Sequence, residues 1–165
     1  MGNEVTVTGM NEKSIQGDRA ILDWAEELNG AAQAVSIDVS HSPDLVPPAA
    51  VWAALRPGTT RLTNAGRLRI KESDRLATVT EVLNALGGEV QEEVDRLIIH
   101  GRPVLKGGAA VSAHNDHRIA MMAAVAATCC EQPVTVLGAE CVAKSYPNFW
   151  EDYEMLGGHI AWSEG

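Results

Sequence analysis

The sequence predicts an α/β chain made by repeating a short strand-helix unit, with helices packed inward against small sheets, and three observations predict it. The first is internal repetition. Asp44-Leu45-Val46-Pro47-Pro48-Ala49 opens an apolar stretch to Leu55, followed by Gly58-Thr59-Thr60-Arg61-Leu62, Lys71-Glu72-Ser73 and a stretch ending Leu86-Gly87-Gly88-Glu89-Val90. The same order returns from Asp116-His117-Arg118 through Pro133-Val134-Thr135-Val136-Leu137 and Lys144-Ser145 to Leu156-Gly157-Gly158-His159-Ile160. Asp44 precedes Lys71 by 27 positions, and Asp116 precedes Lys144 by 28. A half-copy opens the chain, where Val5-Thr6-Val7-Thr8-Gly9 leads to Lys13-Ser14-Ile15 and on to Leu28-Asn29-Gly30. Such self-similarity is the mark of a fold that stacks one supersecondary unit. The second observation is composition: aromatics are only 4%, so Ala, Val, Leu and Ile must fill the core, which suits closely approaching helices. The third is that helical and strand-like periodicities alternate along the chain.

Taken in order, strands are predicted at 4–8 and 35–39. Residues 44–55 then read as a helix, with Pro47 and Pro48 in the first turn, where a missing N–H is tolerated. A strand follows at 58–63. Leu76, Val79, Leu83 and Leu86 fall at helical spacing over 73–86, with Ser73 or Asp74 as N-cap and Gly87 as the stop. Strands at 89–94 and 96–100 flank Glu92-Glu93-Val94-Asp95-Arg96, which reads as a hairpin connection. A strand at 109–113 precedes a helix at 116–128, almost wholly apolar after Arg118 and so buried on most of its surface. Strands at 133–137 and 158–162 complete the series. The unit is strand-helix-strand-helix-strand-strand, and no linker divides the chain.

A length of 165 residues with 45% hydrophobic and 21% charged residues describes one globular domain and excludes disorder as the main state. The formal charge of −9 argues against nucleic acid or an anionic membrane as partner. No apolar run approaches the ~20 residues of a membrane span, and Met1-Gly2-Asn3-Glu4 has no signal pattern, so the expectation is a cytoplasmic protein. Cys129, Cys130 and Cys141 lack metal-ligand or disulfide spacing and read as core thiols. Met121 and Met122 read as core filler, and the four tryptophans as single large plugs. His41, His100, His114 and His159 read as structural.

Two clusters carry chemistry: Arg67-Leu68-Arg69-Ile70-Lys71-Glu72-Ser73-Asp74-Arg75 and His114-Asn115-Asp116-His117-Arg118. Each sits where a strand gives way to a helix, a place where free N–H groups and the helix dipole favour an anion. Arginines add bidentate donors for carboxylate or phosphate, and Glu72 and Asp116 put carboxylates beside cations, as acid-base chemistry requires. Capping and surface ion pairing explain either cluster alone. Two clusters at matching places in a repeat, with Lys71 and Lys144 equivalent, favour a site.

Leu68-Arg69-Ile70-Lys71-Glu72-Ser73-Asp74-Arg75-Leu76 resembles the Lys-Glu-Ser-Asp-Arg signature of the 5-enolpyruvylshikimate-3-phosphate synthases, the 3-phosphoshikimate 1-carboxyvinyltransferases. Asn115-Asp116-His117-Arg118-Ile119-Ala120-Met121 and Lys144-Ser145-Tyr146-Pro147-Asn148-Phe149-Trp150 resemble two further signatures, in the family's order. The resemblance runs from about Val5 to about Trp162. It implies an enolpyruvyl transferase-like domain of repeated βαβαββ units, helices inside. Residues 1–165 would be about two and a half units of the C-terminal part of one domain, without the partner domain that closes the cleft.

The resemblance further implies transfer of enolpyruvyl from phosphoenolpyruvate to the 5-hydroxyl of shikimate 3-phosphate, a step of chorismate and aromatic amino-acid biosynthesis, with no metal or organic cofactor. The missing N-terminal part of the enzyme would be the further partner, and the chain alone inactive. By the resemblance Asp44 meets the shikimate hydroxyls and takes the 5-hydroxyl proton, and Glu72 handles the proton at the methylene carbon. Lys71 contacts the shikimate phosphate, while Arg75 and Arg118 grip phosphoenolpyruvate. Lys144 lies near the phosphate and leaving oxygen, His117 orients Glu72 or the phosphate, and Arg67 takes a substrate-contacting position where some members carry Asn. Lys13, at the repeat equivalent of Lys71, has no implied role. The alternatives are a small phosphate- or carboxylate-binding module without catalysis, and a structural domain whose clusters are only caps.

Overall fold

The computed structural model describes residues 8–9, 15–30 and 33–163. The strand expected at 4–8 therefore lies, except for Thr8, outside the described residues, as does Lys13. The first helix, α1 (Ala20–Asn29), turns Trp24 and Leu28 inward. A complete unit follows: β1 (Ala34–Asp38), α2 (Val46–Leu55), β2 (Thr59–Thr63), α3 (Arg75–Ala85), β3 (Glu89–Glu92) and β4 (Leu97–His100). Its sheet has the order β1-β2-β4-β3. β1 and β2 are parallel, joined through α2, with Ala34 opposite Thr59 and Asp38 opposite Thr63. β4 runs antiparallel to both β2 and β3, so the expected hairpin is present.

The second unit begins with two three-residue strands, β5 (Leu105–Gly107) and β6 (Ala110–Ser112), and continues through α4 (His117–Ala127), β7 (Cys130–Gln132), β8 (Thr135–Leu137) and α5 (Phe149–Met155). β5 pairs in parallel with β7, and β6 with β8. β5 and β7 were not legible in the sequence. Three residues give no alternation to read, and Gly107-Gly108 marks a turn rather than a strand.

The predicted helices at 44–55, 73–86 and 116–128 are all present to within two residues. Pro47 falls within the first turn of α2 as required. Ser73 does not cap α3; Asp74 does, accepting from the Ala77 N–H at 3.3 Å. One expected strand is corrected: residues 158–162 are not a ladder strand, because no described strand lies beside them to take their backbone groups. The cysteines are also corrected, since only Cys141 is buried, while Cys129, in the turn after α4, and Cys130, which opens β7, are half-buried. Of the tryptophans only Trp24 is buried, and Trp162 is two-thirds exposed.

One main core runs from α1 and the four-stranded sheet to α4. Its centre is α2, whose Ala49, Ala50, Ala53 and Ala54 are all buried, so the helix is covered on nearly every side. α2, α3 and α4 pack pairwise on one another, as the alanine-rich composition anticipates. No helix among the described residues is long and apolar enough to cross a membrane.

The turn into β2 depends on Gly58, whose φ is +92° and whose hydrogen faces the Gln33 carbonyl. A Cβ there would strike that oxygen in a backbone conformation that side chains rarely adopt. Gly58→Ala is therefore expected to cost about 1–3 kcal/mol, read as a lower midpoint in urea unfolding with an unchanged slope.

Candidate functional site

The site is built where α2, α3 and α4 begin. Asp44 lies in the 3-10 turn at Pro43–Leu45 that leads into α2. Lys71 follows a second 3-10 turn, Gly66–Ile70, and with Glu72 and Ser73 connects to Arg75, the first residue of α3. Asp116 is the N-cap of α4, and its Oδ1 accepts the Arg118 N–H at 2.9 Å. His114 and Asn115 precede it with φ of 50° and 55°, which swings the chain abruptly into the helix.

Arg75 occupies the centre, and both its side chain and that of Asp116 have 0% exposure. Its Nε donates to Asp116 Oδ2 at 2.8 Å and its Nη2 to Asp116 Oδ1 at 3.2 Å. Nη1 donates to Asp44 Oδ1 at 2.7 Å, and Nη2 also reaches Glu72 Oε2 at 2.6 Å. Ser73 Oγ donates to Asp116 Oδ2 at 2.9 Å. A guanidinium out of water demands such pairing. Asp44 collects the remaining cations: Lys71 Nζ lies 3.2 Å from Oδ1 and Arg118 Nη2 donates to Oδ2 at 3.1 Å.

Burial by itself pushes the Asp44 carboxyl up, but the Arg118 charge and the Lys71 contact outweigh it, and its pKa lies below the ordinary value. The same holds for Asp116, where burial is opposed by the hydrogen bonds and charge of Arg75, the Arg118 N–H and the Ser73 hydroxyl. Burial acts against the charge of Arg75 in turn, yet Asp116 and Glu72 hold its pKa above the ordinary one. Three cations thus face three carboxylates, and the directions at Asp44, Arg75 and Asp116 all favour the charged form. Glu72, with 46% of its side chain exposed, is the carboxylate freest to move.

Of the residues singled out in the sequence, Asp44, Lys71, Glu72, Arg75 and Arg118 are brought together. Lys144 is held to one side, its Nζ donating to the Asn115 carbonyl at 2.7 Å and to Asn115 Oδ1 at 2.6 Å. Since Asn115 adjoins Asp116, Lys144 is tied to the cluster through one residue. His117 opens α4, half-buried, with its Nδ1 buried and unpartnered among the described residues. Arg67 is exposed in its 3-10 turn and is not drawn into the cluster. The residues missed are Ser73 and Asn115, together with the role of Asp116. For Asp116 the signal was there: it is the repeat equivalent of Asp44, and both bind the same guanidinium. Among the described residues no group of three or more His, Cys, Asp or Glu is placed to hold a metal.

Residues 1–153 match the family model described as EPSP synthase (3-phosphoshikimate 1-carboxyvinyltransferase). The chain belongs to the EPSP synthase family. Curated members include the 3-phosphoshikimate 1-carboxyvinyltransferases of Clostridium kluyveri, 46% identical, and Clostridium acetobutylicum, 47% identical, each matched over 100% of this chain. The chain spans 42% and 41% of their lengths. Among solved EPSP synthase structures, one from Acinetobacter baumannii superposes with a TM-score of 0.71 at 34% identity, over 76% of this chain and 30% of that one. The family membership bears out the α/β fold of enolpyruvyl transferase type expected from the sequence.

Removing Asp116 takes from the buried Arg75 its one fully buried counter-charge and leaves its Nε without a partner, with only the more exposed Asp44 and Glu72 to hold it. Asp116→Ala is expected to lose about 3–5 kcal/mol in urea unfolding, against about 1 kcal/mol for removing the α3 cap in Asp74→Ala. Equal losses would remove Asp116 from its central place. The acid limb of stability should carry the same signature. Because the folded pKa values of Asp44 and Asp116 are depressed, their contribution is complete above the unfolded value of about 3.9 and is lost as pH falls through the lower folded values. Asp116→Asn should flatten that limb in thermal melts taken between neutral pH and strong acid.

Proposed function

We propose that this chain supplies one wall of a site that transfers enolpyruvyl from phosphoenolpyruvate to the 5-hydroxyl of shikimate 3-phosphate, the opposing wall coming from the length of the relatives that it does not span. One observation carries the reading: Asp44 is shared by Lys71, Arg75 and Arg118, so two stretches far from it and from each other in the sequence converge on one carboxylate. Family membership supplies the substrate class.

The reaction adds a proton to the methylene carbon of phosphoenolpyruvate while the 5-hydroxyl oxygen attacks its neighbour, giving a tetrahedral intermediate. Loss of a proton from the new methyl group and cleavage of the carbon–oxygen bond to phosphate then restore the double bond and release phosphate. Asp44, held ionised, takes the hydroxyl proton, and Glu72 carries the proton at the methylene carbon, from which its exposure lets it move. Arg118 and Arg75 hold phosphoenolpyruvate, Lys71 the shikimate phosphate, and Lys144 the phosphate and leaving oxygen. His117 orients Glu72 or the phosphate, and Arg67 reaches substrate from the rim.

As the structure stands, the guanidinium of Arg75 is committed to three carboxylates, so a bound dianion must replace one of them. The replaceable one is Glu72. The isolated chain should accordingly bind phosphoenolpyruvate with a millimolar or weaker constant, about −4 kcal/mol or less favourable, read by calorimetry.

The deciding assay is phosphate release from phosphoenolpyruvate and shikimate 3-phosphate, for this chain alone and mixed with the complementary part of the Clostridium kluyveri relative. Transfer only in the mixture is expected. A chain that retains phosphate but gains nothing from the complement would be a binding module without catalysis. In the active mixture, Glu72→Gln should lower kcat by about 10²–10⁴-fold. Arg118→Ala should raise the KM for phosphoenolpyruvate about ten- to hundredfold, the worth of a charged hydrogen bond. Unchanged kinetics would place either residue outside the site.

A further inference from the structure

The loop that carries Lys71 and Glu72 is not held by apolar burial. It runs from the end of the Gly66–Ile70 turn to Asp74, the cap of α3. Leu68 is the last buried residue before Arg75, and Ile70 between them is 84% exposed. The second unit anchors its equivalent segment by packing. There Lys144 ends the 3-10 turn Ala139–Lys144, and Val142, two places before it, is 1% exposed against Ala113, Ala120 and Cys141. Two places before Lys71 stands Arg69 instead. A unit that folds with valine at this position does not require arginine there.

All three nitrogens of the Arg69 guanidinium donate to the protein. Nε reaches the Val94 carbonyl at 2.9 Å and Nη2 the Glu93 carbonyl at 2.7 Å. Nη1 reaches Glu92 Oε1 at 2.7 Å and Asp74 Oδ2 at 2.9 Å. Three of these acceptors belong to the hairpin between β3 and β4, which the ladder of those strands fixes to the sheet. The fourth is the carboxylate that caps α3 through its other oxygen. The side chain of Arg69 thus returns to the chain five residues further on and closes the loop at both ends. One backbone bond, from the Ala65 N–H to the Asp95 carbonyl at 2.7 Å, seats the start of the 3-10 turn on the same hairpin.

We infer that Arg69 is a positioning residue: it clasps residues 70–74 between the hairpin and the helix cap, and so fixes the backbone from which Lys71 and Glu72 reach substrate. Its own guanidinium is committed to protein acceptors and has no part in binding an anion. Glu72, half-exposed and tied to Arg75 by a single bond, must leave that arginine and meet one carbon atom, which a side chain does reproducibly only from a fixed base. Arg75 does not depend on the clasp, since two bonds to Asp116 hold its guanidinium to α4, and Arg118 lies on α4 itself. The roles of Lys71 and Glu72 rest on the reaction proposed above, whereas the clasp rests on the hydrogen bonds alone.

The test is kinetic, in the mixture of this chain with the complementary part of the Clostridium kluyveri relative. Arg69→Ala should lower kcat about tenfold or more, with the KM for phosphoenolpyruvate unchanged because Arg75 and Arg118 keep their places. In a Glu72→Gln background the same substitution should cost almost nothing more in kcat, since the group that it positions is already gone. An equal loss with and without Glu72 is the mark of general structural damage and overturns the inference, as does an unchanged kcat. Arg69→Lys keeps the charge but offers one nitrogen for acceptors on two sides of the loop, so it should stay as slow as the alanine variant; full activity with lysine overturns the clasp. Amide exchange on this chain alone reads the clasp without any turnover. In Arg69→Ala the amides of Ala65 and Ala77 should exchange about tenfold faster while those of α4 keep their protection, and unchanged rates at both overturn it. A wild-type mixture without transfer takes away the proposed reaction and with it the positioning role, even where exchange shows the clasp. Full transfer by Arg69→Ala takes away the role alone.

Discussion

The paired burial of Arg75 and Asp116 is the constraint on which the rest of this structure hangs. Neither charge can lie out of water without the other, and neither is satisfied by the other alone, so Asp44, Glu72, Ser73 and the Arg118 N–H are all drawn in. A guanidinium reaches only a few ångströms. The starts of three helices from different parts of the chain must therefore meet within that reach. Once they do, their positive dipole ends point at one place, and the carboxylates gathered there offset them.

This convergence also explains the electrostatic character of the site. A wall of three cations already matched by three carboxylates is stable by itself and has little surplus charge for a doubly charged substrate. What it offers is placement: Asp44 fixed by three partners, and Glu72 tethered by one bond at its exposed edge. Cations brought to face this wall would shift the balance toward an anion and let Glu72 leave its arginine, so binding an anion and releasing the Glu72 carboxylate would be one event.

Much of the fold was legible because the sequence repeats. Helices at 44–55, 73–86 and 116–128 announced themselves by periodicity and by punctuation at Pro47, Asp74 and Gly87. The hairpin at 92–96 did so by its charges. The pairing of β5 with β7 did not, since three-residue strands are fixed by neighbours distant in the chain rather than by local pattern. The strand expected at 158–162 had the right pattern and no neighbouring strand among the described residues. In the site, the residue types were readable but not their depth: nothing in Ser-Asp-Arg tells that the serine and arginine turn inward while the aspartate between them caps the helix. Lys144 reaches the cluster only through Asn115, a link set by the two left-handed residues before α4.

The alanines of α2 have a consequence for rigidity. Ala49, Ala50, Ala53 and Ala54 have no side-chain rotamers to lose on burial, so α2 packs against its neighbours at almost no side-chain entropic cost. It also has no rotamers with which to adjust. The helix acts as a spacer of fixed diameter, and any added methyl group would be converted directly into separation between helix axes. A hydrogen bond of 2.7 Å from Arg75 to Asp44 cannot follow such a shift. The tolerance of the ion cluster is thus set by the volume of small residues deep in the core, whose side chains bear no charge.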